Sequence, residues 1–335
     1  SLLVRDGYKV TILEQANFIG GYASTYNVSN YIFTLGPRYL WDFGENEIGS
    51  RFFEHLGIYK PKDFIKLDED CFDEVYIGSD LVMRVPMGWD KYRQRMVETF
   101  PNEAEGINHF FSICLDIDSQ FQAYIERNLN YKSYVNLASY IFLNPLRWRS
   151  GITLGKYAFA TLQNAYEQCG LSDTVRTVLS AHLAIVAETP HSMSLIGYAV
   201  GSINYHRGSY YPKTHINDLV DGMVRYIRNN GGKIRTESKV SKINLKNGYA
   251  VSLGLESGEE IKTDIVISNI DPKETMRLCV PEVYSKYKYE RSNSLLSFFI
   301  GCAVLCFFLV LGGGGGGVFV VFFWGGGGRG AGAPP

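Results

Sequence analysis

The stretch Arg5-Asp6-Gly7-Tyr8-Lys9-Val10-Thr11-Ile12-Leu13-Glu14-Gln15-Ala16-Asn17-Phe18-Ile19-Gly20-Gly21 decides the fold, because it reads as the second half of a dinucleotide-binding βαβ unit. Ser1 to Gly7 has the pattern of the last turns of an amphipathic helix stopped by a C-cap glycine. Tyr8 to Leu13 is a short, largely apolar, β-favouring run that closes on an acid, Glu14. In a βαβ nucleotide fold the acid ending the second strand stands about 20 residues beyond a glycine-rich turn and accepts hydrogen bonds from a ribose hydroxyl. That turn is expected upstream of Ser1. Taken alone, Glu14 is equally a solvated strand end, and Gly20-Gly21 a simple turn.

At 335 residues, with 46% apolar and 20% charged residues, the chain is long enough for two domains and a sizeable core. Thirty-three basic against 34 acidic residues give a formal charge of -1, so no global basic field recruits nucleic acid, and none is expected as a partner. The six cysteines, at 71, 114, 169, 279, 302 and 306, form no CxxC pair and no metal-ligand spacing with the six histidines. Reduced, buried thiols and no metal are therefore expected. Twenty-three tyrosines and 20 phenylalanines suit either a well-filled core or a large apolar pocket.

Outward from the opening stretch, Tyr31 to Trp41 is a strand interrupted by Gly36-Pro37, which places a sharp loop inside apolar sequence. A short helix over residues 47–57 follows, then three strand-like pieces, Phe64 to Leu67, Glu74 to Ile77 and Leu81 to Val85, expected to form a small antiparallel sheet. Residues 89–204 carry helical periodicity for most of their length. Within them, Phe121 to Phe159 mixes aromatics with Arg127, Lys132, Arg147, Arg149 and Lys156, a pattern shared by ordinary packed helices and by surfaces that rest on a membrane. Leu219, Val220, Met223, Val224 and Ile227 then recur at helical spacing, and Asn229 to Gly232 stops that helix. Asn247-Gly248 and Ser257-Gly258 turns between alternating runs predict a three-stranded meander over Lys239 to Leu245, Tyr249 to Leu255 and Glu260 to Ser268. From Leu295 to Leu311 come 17 residues without a charge, followed by glycine runs around Val318 to Trp324. Membrane-spanning helices need about 20 apolar residues, so this stretch reads either as a marginal span or, preferably, as a low-complexity tail.

Five segments in order and spacing resemble the FAD-dependent phytoene desaturase, carotenoid isomerase and retinol saturase family of amine-oxidase-like flavoproteins. They are Val10 to Gly21, Gly36 to Gly49, Tyr210 to Lys213, Gly231 to Val240 and Ile265 to Pro272, and the resemblance runs from about Ser1 to Gly301. It implies an α/β fold with an α+β insert: a Rossmann-like FAD-binding domain, incomplete here, joined to a β-sheet plus helical substrate domain. The implied boundaries are 1–60 and 205–294 for the two parts of the FAD-binding domain, 61–204 for the substrate domain and 295–335 for the tail.

The resemblance also implies roles. Glu14, with Gln15 beside it, would hold the adenosine ribose of FAD, and Gly20-Gly21 would let the backbone pass the pyrophosphate. Gly36, Pro37 and Arg38 would lie beside the isoalloxazine ring. Val240 would meet the adenine, and Asn269 would end the strand returning to the cofactor domain. Tyr39, Tyr211 and His215 would face substrate, although His215 is expected rather to cap the next helix or contact solvent, and no catalytic acid or base stands out. Two positions depart from the family: Tyr22 replaces a common basic residue, and Thr214-His215 stand where two glycines are usual. The glycine-rich pyrophosphate turn and the C-terminal flavin-contacting segment are not in the sequence, so weak flavin retention is expected of this chain.

The implied activity is desaturation, saturation or isomerisation at carbon–carbon bonds of a carotenoid, retinoid or related apolar isoprenoid. Contact with a plastid, endoplasmic reticulum or bacterial membrane surface is implied with it. Two other readings stay open: an amine-oxidase-type enzyme acting on a polar substrate, and an inactive truncated fragment.

Overall fold

The computed structural model describes residues 1–28, 31–36, 39–58, 60–128, 145–181, 183, 188–281, 296–301, 306–311 and 319–324. The chain divides into two compact units. The first comprises Ser1–Arg38, Ser50–Asp63 and Pro212–Arg291, and the second comprises Tyr39–Gly49, Phe64–Tyr211 and Ser292–Pro335. In chain order the strands are β1 (Thr11–Leu13), β2 (Thr25–Val28), β3 (Tyr31–Thr34), β4 (Phe64–Lys66), β5 (Asp73–Ile77), β6 (Asp80–Val85) and β7 (Tyr210–Pro212). They continue with β8 (Lys233–Arg235), β9 (Val240–Lys246), β10 (Tyr249–Leu255), β11 (Glu260–Lys262), β12 (Leu296–Gly301), β13 (Cys306–Leu311) and β14 (Phe319–Trp324).

In the first unit β1 and β8 pair in parallel, with Thr11 opposite Lys233 and Leu13 opposite Arg235. A parallel pair needs a long connection, and the amphipathic helix Asn217–Asn229 leads into β8, burying Val220, Gly222 and Ile227. A Cβ on Gly222 would lie 2.4 Å from Ile58 Cγ2, so that helix packs at the closest spacing its residues permit. β2 and β3 form an antiparallel hairpin. The meander follows its turn chemistry: β9, β10 and β11 are antiparallel neighbours, and Asn247 and Gly248 adopt φ of 53° and 81°. Its third strand stops at Lys262, short of the expected Ser268. The hydroxyl of Thr263 donates to Ile265 O at 2.9 Å and accepts from Ile265 N–H, a local turn that competes with the ladder.

In the second unit the helix Ala104–Asn128 supplies the centre of the core. Ile107, Phe110, Phe111, Cys114 and Ile117 recur at three- and four-residue spacing and are all at most 1% exposed, one continuous stripe facing inward. The helix Leu195–Arg207 packs against it through Tyr198, Ala199 and Ile203. β5 and β6 form the expected hairpin, with a register shift between Val75 and Tyr76. The expected third member of that sheet is elsewhere: β4 pairs with β7, some 145 residues away in sequence, and Leu67 N–H extends the pairing to Ser209 O at 2.9 Å. The apolar runs after Leu295 are strands, not helix: β12, β13 and β14 extend the hairpin into a five-stranded sheet ordered β12-β13-β14-β5-β6. No helix among the described residues is long and apolar enough to cross a membrane.

Candidate functional site

The β1–β8 pair carries its ladder past the strand ends. Glu14 N–H donates to Arg235 O at 2.9 Å, Ser238 N–H to Glu14 O at 2.8 Å and Glu237 N–H to Ala16 O at 2.9 Å. Glu14 is thus fixed where the strand delivers it. Its Oε1 accepts the N–H of Ala16 at 2.8 Å, folding the carboxylate over its own turn in the manner of an Asx turn one methylene longer. A charge-assisted acceptor is thereby held at the carboxyl end of a parallel strand, where open α/β sheets bind ligands.

Beside it lies a cleft of about 440 Å³ lined by Gln15, Ser238, Lys239 and Leu255, among others. Two ion pairs belong to its walls: Arg235 forks onto Glu259 at 2.7 and 2.6 Å, and Lys239 meets Glu256 at 2.6 Å. The hydrogen bond from Arg235 holds the Glu259 carboxyl below its ordinary pKa. Val240 opens β9, half-buried, directly after this wall.

Gly20 and Gly21 adopt φ of 114° and 52° and lead into a single turn of 3₁₀ helix, Gly21–Ala23, with Ser24 Oγ donating to Gly21 O at 2.6 Å. The two glycines differ in surroundings. A Cβ on Gly20 would lie 3.3 Å from Val220 Cγ1, so Gly20 lets the turn meet the helix Asn217–Asn229. A Cβ on Gly21 would meet nothing within 4 Å, leaving its backbone open to a ligand. Gly36 reaches the same turn, since its Cβ would stand 2.5 Å from Tyr22 O. Segments around Gly20 and Gly36, distant in sequence, are therefore brought together by close backbone contact. Tyr22, at the family's basic position, is 85% exposed.

Pro37 and Arg38 lie outside the described residues. Asn269 is exposed on irregular chain after β11, not at a strand end, and two residues later Asp271 caps the helix Pro272–Cys279. Tyr39 is buried in the second unit, its Oη donating to Asp73 Oδ2 at 2.7 Å, rather than standing open to a substrate. Burial, then the Asp73 charge and the neighbouring Tyr205, push its phenol well above the ordinary value of 10. Tyr211 is half-buried within β7. His215 does not cap the following helix, whose N-cap position is Ile216 without a side-chain bond. Asp73 and Ser238 were not foreseen, because their partners Tyr39 and Glu14 lie far away in sequence. Among the described residues no group of three or more His, Cys, Asp or Glu is placed to hold a metal ion.

Residues 1–293 match the profile of the flavin containing amine oxidoreductase family. All-trans-retinol 13,14-reductase of Danio rerio is 22% identical over 84% of this chain and 46% of its own length. The 4,4'-diapophytoene desaturase (4,4'-diapolycopene-forming) of Methylomonas sp is 24% identical over 86% and 54%, and prolycopene isomerase 1 of an Oncidium hybrid cultivar 22% over 89% and 51%. The chain spans about half the length of these curated relatives. The solved structure of an oxidoreductase from Methanosarcina mazei shares the fold at a TM-score of 0.52 and 16% identity, covering 85% of this chain and 60% of that one. The match over residues 1–293 shows that the chain belongs to the flavin containing amine oxidoreductase family.

Proposed function

We propose that this chain is part of a flavin-dependent oxidoreductase acting on carbon–carbon bonds of an apolar isoprenoid such as a carotenoid or retinoid. The observation that carries the reading is Glu14, fixed by Ala16 and Ser238 at the end of a parallel strand. The open backbone at Gly21 fits a pyrophosphate, and a carboxylate at Glu14 fits a ribose hydroxyl. When bound, flavin supplies the hydride chemistry. The chain's own residues would hold and orient it: Glu14 would accept from the ribose, and the cleft at Gln15 would take the adenosine end.

The substrate class rests on what three relatives are named for. One reduces a retinol, one desaturates a diapophytoene and one isomerises a prolycopene, so a polyene is common to them while the reaction is not. Contact with a membrane surface belongs to the same proposal. It is supported by Ile152, on the helix Pro145–Tyr157, and Phe159, just beyond its end, 70% and 98% exposed on either side of Lys156 in sequence.

Titration with FAD, followed by flavin fluorescence, tests the cofactor half: saturable binding that falls about tenfold or more in Glu14→Ala is expected. Binding of a C20 or C40 polyene against a simple amine tests the substrate half. Preference for the amine would favour a polar-substrate oxidase, and no binding of FAD at any concentration would leave an inactive fragment.

A further inference from the structure

Among the described residues, four that are not glycine adopt positive φ: Asp42, Asn46, Glu237 and Asn247. Three are Asp or Asn, the side chains that visit this region most readily; Glu237, at φ 50°, is not. Two successive backbone bonds hold it there, since its own N–H reaches Ala16 O at 2.9 Å and the next N–H, of Ser238, reaches Glu14 O at 2.8 Å. Glutamate is a poor choice for this conformation, and glycine would satisfy the same two bonds without strain. What glycine would lack is the side chain, and Glu237 lines the cleft beside Gln15.

The other charged and hydroxyl groups of that cleft are already engaged. Arg235 is forked onto Glu259 and Lys239 is paired with Glu256, so neither cation is left over for an anionic ligand. Ser238 Oγ donates to Thr236 O at 2.9 Å, and Ser257 Oγ accepts the Glu259 N–H at 3.4 Å. Leu255, 5% exposed, adds an apolar surface. There remain the Gln15 amide, which can present a donor or an acceptor, and the Glu237 carboxylate, which can only accept and which no ion pair or hydrogen bond occupies among the described residues. Such a lining suits an uncharged ring that offers an N–H donor, and disfavours one with a carbonyl oxygen in the same place. We infer that Glu237 is a specificity-determining residue: its carboxylate accepts the exocyclic amino group of the adenine ring, and so selects the amino-bearing base. This inference rests on the proposed function for placing the adenosine end in this cleft.

The full chain is titrated, by flavin fluorescence, with FAD and with its hypoxanthine analogue, in which a carbonyl oxygen replaces that amino group. Wild type is expected to bind FAD about tenfold more tightly, because the analogue sets an oxygen lone pair against a carboxylate. Glu237→Gln, whose amide can turn either face, is expected to bring the two within about threefold. Glu237→Gly removes acid and strain together. Its melting temperature is expected to equal or exceed that of wild type while its preference for FAD is lost, a combination that a purely structural role for Glu237 would not give. Equal binding of the two dinucleotides by wild type, or a preference that survives in both variants, would overturn the inference while the cofactor reading stands. Saturable binding of neither dinucleotide would sink the cofactor reading itself, and this inference with it.

Discussion

A Cβ placed on Gly36 would stand 2.5 Å from the carbonyl oxygen of Tyr22 and 3.0 Å from its Cβ. The obstacle is backbone, which cannot swing aside as the end of a long side chain can. Gly36→Ala is therefore expected to push the β3 end away from the Gly20-Gly21 turn and to destabilise the first unit by about 1–3 kcal/mol. Gly254→Ala is the control, because its nearest neighbours would be at 3.7 and 3.8 Å, ordinary contact distance. Urea midpoints of the two variants test this, and equal midpoints would mean that the contact at Tyr22 yields.

Asp271 accepts the N–H groups of Lys273 and Glu274 at 2.7 and 3.3 Å, with Pro272 in the first helical position. Two of the orphan donors of a short helix are satisfied by one side chain. Asp271→Ala is expected to cost about 1 kcal/mol and Asp271→Asn much less, since the amide oxygen can still accept. Exchange rates of the Lys273 and Glu274 amides report the cap directly: equal rates in both variants would show that the carboxylate acts through its charge on the helix end.

What could be read from the sequence is what neighbouring residues decide among themselves. Asn247-Gly248 specifies its turn because both residues must adopt positive φ, and the stripe Leu219 to Ile227 specifies a helix face by spacing alone. Glu14 was legible as a strand-terminal acid for the same reason. The bonds that fix it, from Ala16 and Ser238, were half legible: one is local, while the other arrives from the segment after β8. Pairing of β4 with β7 leaves no local trace, nor does Asp73 beneath Tyr39. The hydroxyl of Thr263 decides where β11 ends, although its residues continue the apolar alternation. Beyond Leu295 nearly every residue is apolar or glycine, so no alternation exists to separate strand from helix, and the sheet order emerges only from pairing with β5.

Asp42 carries a pH dependence of unusual sign for a carboxylate. It is partly buried at φ 61°, and its pKa lies above the ordinary 3.8 because of burial and then Glu47, against an opposing pull from Arg207. The folded chain therefore binds this proton more tightly than the unfolded one. Its ionisation in place works against folding: the penalty is absent below the unfolded pKa, grows as pH rises from there to the raised folded value, and is constant above. Asn adopts positive φ as readily as Asp. Asp42→Asn is expected to be more stable than wild type at neutral pH by less than about 1 kcal/mol, given how much of the group is solvated, and to lose that gain by about pH 3. Thermal melts at the two pH values decide it; a gain that is larger in acid would reverse the assignment.

Phe110 is fully buried in the second unit, and its ring lies 6.1 Å from Phe111, 5.4 Å from Tyr166 and 5.9 Å from Tyr198. These partners sit on the helices Leu162–Gln168 and Leu195–Arg207 as well as on its own, so one side chain joins three helices. Truncation leaves a cavity whose lining belongs to three rigid elements and cannot close by moving one of them. Phe110→Ala is expected to cost about 3–5 kcal/mol, near the upper range for a core aromatic, whereas Phe110→Leu keeps most of the volume and should cost less than about 1.5 kcal/mol. Near-ultraviolet circular dichroism during urea unfolding follows the tyrosines that line the cavity. A Phe110→Ala midpoint close to that of Phe110→Leu would show that the three helices do collapse onto the gap, and that the core of this unit is softer than its ring contacts imply.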